Sequence, residues 1–276
     1  MPAGNPELTA EPAPGVAPGS EHTDTSVPPQ HPRPAGAGWL ASVQSLAGTV
    51  VIAVFVITFI VQAFQIPSES MENTLLIGDY LLVDKVHYAS GGQWGGGLLP
   101  YSPIQRGDII VFRYPVHPSQ HFVKRVIAAP GDRVRLINKQ VWVNGKPVTE
   151  KYVVYRSPVR DYYRDDFPDL NYLSANVEAR WWLQLRTLVQ GGELVVPPDR
   201  YFVLGDNRDE SLDSRYWGLV PRANIIGRPL LIYWSFRSPD PYSRPHDEDG
   251  KLTRLAYMIT HFMQETRWDR TFRVVR

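Results

Sequence analysis

Hydrophobic positions in this chain change their period near residue 65. From Pro34 to Ser68 no residue is charged, and inside that stretch Leu46–Phe64 is an apolar run of 19 residues, LAGTVVIAVFVITFIVQAF. At about 1.5 Å per helical residue it covers roughly 30 Å, one bilayer hydrocarbon core. A cleaved leader would have only about 7–15 apolar residues and a small-x-small exit, and Ala63-Phe64-Gln65 is not such an exit. A buried helix of this length would normally show a polar face. The pattern therefore predicts an uncleaved transmembrane helix within an anchor segment of residues 37–65. Arg33 lies close on its N-terminal side, whereas Glu69, Glu72 and Asp79 precede the first lysine, Lys85. That asymmetry favours an N-terminus inside and the remaining chain outside.

Beyond the anchor the period shortens to two. Asp79–Val86, Asp108–Tyr114, Phe122–Ala128, Arg133–Ile137, Gln140–Val143, Arg200–Leu204 and Ile225–Ser235 are rich in Val, Ile, Tyr and Phe and are predicted strands. Gly-Asp pairs at 78–79, 107–108, 131–132 and 205–206 punctuate them. Ser90–Pro103 is Gly-rich and reads as a loop. Glu150–Val195 interrupts the strand pattern; its second part predicts a helix over Ser174–Leu188 with Ser174 as N-cap and the Trp181-Trp182 pair in the core. Lys251–Trp268 has apolar residues at Leu252, Leu255, Ala256, Ile259, Phe262 and Met263, a helical spacing. That amphipathic helix is too short and charged to span a membrane, and it suits either a bilayer surface or the body of the domain.

Composition adds limits. Nine of the 25 prolines fall in residues 1–36, among small polar residues, so that segment is predicted to be a disordered tail. Residues 238–250 are a Pro- and charge-rich linker. With no cysteine, disulfides, thiol catalysis and Cys-ligated zinc are excluded. A net charge of +1 gives no reason to expect a nucleic-acid partner. No motif bears on oligomeric state.

The candidate chemistry begins with Ser70, just past the anchor. A serine hydroxyl needs a base to take its proton. His22 and His31 lie in the tail, and His246 in the linker. No Gly-x-Ser-x-Gly elbow occurs. His117 and His121 have the i,i+4 spacing of a metal pair, but Pro115 and Pro118 break any helix there, so no metal is expected. Among the six lysines, Lys124 stands out. In the strand HFVKRVIAA its face carries Phe122, Val126 and Ala128. Desolvation there would lower the amine's pKa toward what a neutral base requires, although a lysine in such a strand can also pack its stem and extend its head to water.

Four segments then come in order: Pro67-Ser68-Glu69-Ser70-Met71, Arg106–Phe112 (RGDIIVF), Val123-Lys124-Arg125-Val126 and Gly205–Arg215 (GDNRDESLDSR). Together, over about residues 46–235, they resemble the sequence boxes of bacterial type I signal peptidases, which release exported proteins by cutting their signal peptides with a Ser/Lys dyad. The resemblance implies Ser70 as the acylated nucleophile and Lys124 as the general base. It implies the Ser70 N–H and Ser68 hydroxyl as oxyanion donors, Ser211 as the hydroxyl orienting the amine, and Asp213–Arg215 as a structural ion pair beneath the site. Ile66, Met71, Leu75 and Val123 are similar to the lining of the substrate pocket. Glu69 stands where glycine is common in the family, and Asn73 where proline is common.

The expected architecture is mainly β: an antiparallel catalytic core over 66–237 with an inserted extra domain at about 139–195, preceded by one transmembrane helix and followed by the linker and helix of 238–276. The resemblance implies a single-pass protein of the bacterial cytoplasmic membrane, its catalytic domain on the outer side. It implies no cofactor, and preprotein signal peptides and the lipid bilayer as partners. Two other readings stay open: a self-cleaving Ser/Lys peptidase, and a membrane-anchored β-domain that binds exported proteins without cutting them.

Overall fold

The computed structural model describes residues 37–88, 102–237 and 255–275. The expected tail, nearly all of the Gly-rich loop, the linker and the start of the C-terminal helix lie outside the described residues. The chain divides after Gly48, and Thr49–Arg276 forms one compact unit that contains every described strand.

Helix α1 (Ala37–Phe55) continues through a π-helical turn, Val56–Ile60. Gly38–Ile60 has mean hydropathy 2.3 and no buried residues, and is the one helix among the described residues long and apolar enough to cross a membrane. The helix starts earlier than the apolar run and stops before its end. Val61–Gln65 is strand β1, paired antiparallel with β2 (Asp79–Asp84) from Val61↔Asp84 to Gln65↔Tyr80. Ala63 and Gln65 are exposed while Phe64 packs inward. Hydropathy alone cannot divide a continuous apolar run between helix and strand.

Three further strands complete the middle of the main sheet: β3 (Ile109–Arg113), β4 (His121–Ala128) and, from the second half of the chain, the long Ile225–Ser235. Between β4 and that long strand lie β5 (Arg133–Ile137), β6 (Gln140–Val143), β7 (Lys146–Pro147), β8 (Val189–Gln190), β9 (Glu193–Val195), β10 (Arg200–Leu204) and β11 (Val220–Pro221). Ile225–Ser235 is thus β12, and Arg273–Val274 is β13. The main sheet has the order β1-β2-β12-β3-β4-β10-β11, with β13 on β12; the second has the order β7-β6-β5-β9-β8. Every strand pairing is antiparallel. The second sheet begins at Arg133, ahead of the expected start at 139, because β5 forms a hairpin with β6 and β9 returns onto its other edge.

The second sheet shares its core with the first. Val134, Leu136, Val141, Val143 and Leu194 join Ile110, Phe112, Val126 and Phe202 in one apolar cluster. Helix α2 (Tyr162–Asp165) and α3 (Ala179–Leu188) close it, with Trp181 buried and Trp182 half-buried. Ser174 does not cap α3. It closes a turn, accepting from Val177 N at 3.1 Å, and the helix starts after Glu178, whose N–H donates to Tyr216 O. Tyr216 belongs to α4 (Ser214–Trp217).

A smaller cluster, Ile66, Met71, Leu75, Leu81, Val83, Ile109, Val111 and Ile232, lies beneath β1, β2 and β12. The C-terminal segment is tied to it through Asp79, which is fully buried and accepts from Ser235 Oγ (2.6 Å) and Arg270 Nη2 (2.6 Å). Residues 255–260 and Phe262–Glu265 are helical, as the spacing predicts. Their contacts to the body run through Tyr257 and Phe262, against Phe236 and Trp234, while Leu255, Ile259 and Met263 remain exposed.

The closest approach in the main sheet is at Gly227, where a Cβ would fall 2.0 Å from the Asp84 carbonyl oxygen on β2. Gly227→Ala must push β12 off β2, and overpacking of this kind costs about 1–3 kcal/mol. The expected outcome is a lower unfolding midpoint in a denaturant titration, and an unchanged midpoint would show that the two strands have slack.

Candidate active site

The Ser70 turn follows from short-range bonding. Ile66 N donates to Asp79 O and Gly78 N to Ile66 O, which closes the chain after β1 into a loop. Within it Glu69–Met71 is a single 3-10 turn, preceded by Ser68 in extended conformation (φ −138°, ψ 158°). Met71 and Leu75 drop into the small core, so Ser70, between Glu69 and Met71, is carried to the rim of that core and is itself buried. Asn73 has φ +81°, a value closed to proline.

Lys124 comes from β4, opposite Ile110 of β3. It is buried, and its Nζ lies 2.6 Å from Ser70 Oγ, donating to it as drawn. Burial pulls the amine's pKa from an ordinary 10.5 down to about 8; the Asp213 and Asp206 carboxylates act against that shift and the Arg215 guanidinium reinforces it. The Ser68 hydroxyl stands 3.4 Å from the Ser70 hydroxyl.

Behind the lysine, Arg215 Nε and Nη2 donate to Asp213 Oδ1 and Oδ2, both at 2.8 Å, and Asp213 also accepts from Gly205 N at 3.1 Å. Burial pushes the Asp213 carboxyl up, but the Arg215 charge and these hydrogen bonds outweigh it, so its pKa lies below the ordinary value. Ser211 sits in the same loop. Its hydroxyl is buried beside the Asp213 carboxylate, whose ionised form it favours, and among the described residues it is not bonded to Lys124. A Cβ at Gly205 would lie 2.3 Å from Ser211 Oγ and 2.4 Å from Ser70 O, so only glycine lets the two segments meet here.

A cavity of about 300 Å³ opens beside the pair. Ile66, Met71 and Val123 line it with Phe64, Phe122 and Leu212, and His121 and Glu210 stand at its wall. Leu75 does not line it; it is fully buried in the small core. A larger cavity of about 560 Å³, bounded by Asn73, Tyr152 and Arg273–Val275, contains neither Ser70 nor Lys124.

Sequence reasoning missed a second ion pair. Arg125 Nε and Nη2 donate to Asp206 Oδ1 (2.8 Å) and Oδ2 (2.7 Å), and Thr74 Oγ1 donates to Asp206 Oδ2 at 2.5 Å. The Tyr152 ring covers the Arg125 guanidinium at 3.8 Å. The available signal was that Arg125 and Asp206 both lie inside the quoted segments, next to Lys124 and to Gly205.

Comparison with known proteins places the chain among the serine endopeptidases. The family described as signal peptidase, peptidase S26, matches residues 39–234. Signal peptidase I of Pseudomonas aeruginosa is 36% identical over 199 residues, covering 67% of this chain and 68% of that protein. Signal peptidase I of Aquifex aeolicus is 35% identical over 246 residues, covering 76% and 89%. A solved signal peptidase I from Enterococcus faecalis is 34% identical and covers 46% of this chain and 97% of its own, with a TM-score of 0.35, too slight a superposition to bear on the fold. The chain belongs to the signal peptidase family, peptidase S26. Its general activity is the removal of signal peptides by a serine peptidase.

Below pH 8 an ammonium at position 124 is held where it is poorly solvated, which lowers stability because the folded chain holds that proton less firmly than the unfolded chain does. Because the unfolded chain binds that proton up to pH 10.5 and the folded chain only up to about 8, stability from this group rises with pH across that window. Lys124→Met removes the burden, and after allowance for the lost hydrogen bond a net gain of about 1–3 kcal/mol at pH 7 is expected, shrinking toward pH 10. Chemical denaturation at the two pH values checks this; a variant less stable than wild type at pH 7 contradicts it.

Proposed function

We propose that this protein is a membrane-anchored endopeptidase that cuts exported preproteins after small-x-small sites of the Ala-x-Ala kind, using Ser70 as nucleophile and Lys124 as general base. The observation that carries the reading is the 2.6 Å contact between Ser70 Oγ and a buried lysine amine whose pKa is drawn down to about 8. A neutral amine reverses that hydrogen bond, so that the hydroxyl donates to Nζ. Ser70 Oγ then attacks the scissile carbonyl carbon as its proton passes to Nζ. The oxyanion is held by the Ser70 N–H and the Ser68 hydroxyl. As the C–N bond breaks, the ammonium returns its proton to the leaving amine, leaving an acyl-enzyme. Lys124 next takes a proton from water as the water oxygen attacks the ester carbon; the acyl C–Oγ bond then breaks, the ammonium returns the proton to Ser70 Oγ, and the new carboxyl terminus leaves.

Other features fit. The cavity of about 300 Å³ with apolar walls suits small side chains ahead of the cut. Gly38–Ile60 provides the anchor, and Ser70 follows it by ten residues, which suits an enzyme whose substrate is cut just past its own apolar segment. The orientation that matches this puts the N-terminus in the cytoplasm and the catalytic unit on the outer side of the bacterial inner membrane.

The test is cleavage of an Ala-x-Ala preprotein by the purified full chain in detergent. Wild type is expected to cut after the second Ala, and Ser70→Ala and Lys124→Ala to be inactive. Cleavage by Lys124→Ala would move the base elsewhere, with His121, at the cavity wall, as the first candidate. A wild type inert on several such preproteins, yet binding them, would favour the non-cutting reading. Ser68→Ala is expected to lower kcat by about 100–1,000-fold with the fold intact, the usual cost of one oxyanion donor; an unchanged kcat removes Ser68 from that role.

A further inference from the structure

The turn that carries Ser70 is gripped from outside by an extended segment of the inserted region, residues 152–157. Arg156 reaches Glu72, two residues past Ser70, with both forks of its guanidinium: Nη2 donates to Oε1 at 2.5 Å and Nε to Oε2 at 3.2 Å. Asn207 Nδ2 donates to the same Glu72 carboxylate at 3.4 Å, while Asn207 N donates to Ser70 O at 3.2 Å. Asn73 Nδ2 donates to Tyr152 O at 3.2 Å.

The segment that makes these contacts is itself fixed. Val154 forms a parallel bridge with Asn207: its N donates to Asp206 O at 2.9 Å and its O accepts from Arg208 N at 3.0 Å. Asp209 Oδ2 accepts from Arg156 N and Ser157 N, both at 2.8 Å, and the carboxylate is paired with Lys139 on the second sheet's hairpin. Tyr152 covers Arg125, the neighbour of Lys124. One short segment thus touches the residues adjoining both members of the Ser70–Lys124 pair.

Resting on the Ser/Lys reading above, we propose that Arg156 and Glu72 are positioning residues: their two-pronged ion pair braces the nucleophile turn and sets the distance from Ser70 Oγ to Lys124 Nζ. The pair is largely on the surface, with Arg156 55% exposed. Such pairs add little to global stability. A brace acts differently, because its loss lets the turn sample positions in which hydroxyl and amine no longer meet. A misplacement of about 1 Å can cost on the order of 100-fold in rate, and a partial loosening correspondingly less. The brace leaves the apolar cavity alone, since neither Arg156 nor Glu72 lines it. Its loss therefore belongs in kcat and not in KM.

The experiment compares kcat, KM and melting temperature for the full chain in detergent on an Ala-x-Ala preprotein, using wild type, Arg156→Gln, Arg156→Ala, Glu72→Ala and the Arg156→Ala/Glu72→Ala double variant. The expected result is a fall in kcat of about 5–20-fold in each single Ala variant, with KM within twofold and melting temperature within about 2 °C, and a double variant no slower than the worse single one. Arg156→Gln, which keeps one donor, should fall between wild type and Arg156→Ala. Single variants with kcat within twofold of a cleaving wild type overturn the proposal and leave the peptidase reading intact. So do losses that multiply in the double variant, or losses confined to KM. A wild type that does not cleave overturns the peptidase reading, and this one with it.

Discussion

An amine buried between sheet and loop holds its proton less firmly than one in water, and much of this structure serves to keep that amine buried beside Ser70. Lys124 is fixed by β4, where it pairs with Ile110 of β3 and lies buried. The two carboxylates near enough to hold a proton on it are both occupied by other cations. Asp213 is forked by Arg215, and Asp206 by Arg125. Both pairs are buried, an arrangement that rarely repays its desolvation in stability. Their role is better understood electrostatically. They keep polar backbone in place around Gly205, and Arg215 offsets part of the pull that the Asp213 carboxylate exerts on the Lys124 proton.

The same constraint explains the surroundings. Gly205 must be glycine so that the Ser211 loop and the Ser70 turn can touch. Helices α2 and α3 supply Tyr163 and Trp181; both donate to Arg215 O and fasten the loop from behind. The apolar side chains of the second sheet share one core with β3, β4 and β10. Mechanical continuity then runs from the hairpin around Lys139, through Asp209, to the segment that touches Glu72.

What could be seen in the sequence divides along physical lines. Strands declare themselves by local alternation, so β2 to β6, β10 and β12 are legible from their own residues, and Lys124 could be noticed as a cation on an apolar face. The end of the anchor was not legible, because Val61–Phe64 continues the uncharged run without a break and becomes a strand only through pairing with β2. The cap of α3 was misplaced because Tyr216, far along the chain, takes the Glu178 N–H. Leu75 resembles a lining residue only by its place in the family's motif; it packs in the small core with Ile66 and Met71 and does not line the cavity. The Arg156–Glu72 and Arg125–Asp206 pairs join residues more than 80 apart, and no local pattern announces such a pairing.

The account stands or falls on the charge of one side chain. The direct measurement is a titration of lysine Cε–H resonances in the full chain in detergent, with 13C-labelled lysine and with Lys124 assigned by the signal missing from Lys124→Met. A transition near pH 8, well below that of the other lysines, is the result the account requires. A Lys124 signal that titrates at the ordinary 10.5 would mean that burial does not weaken the amine's hold on its proton, and the proposed base would have to be sought elsewhere.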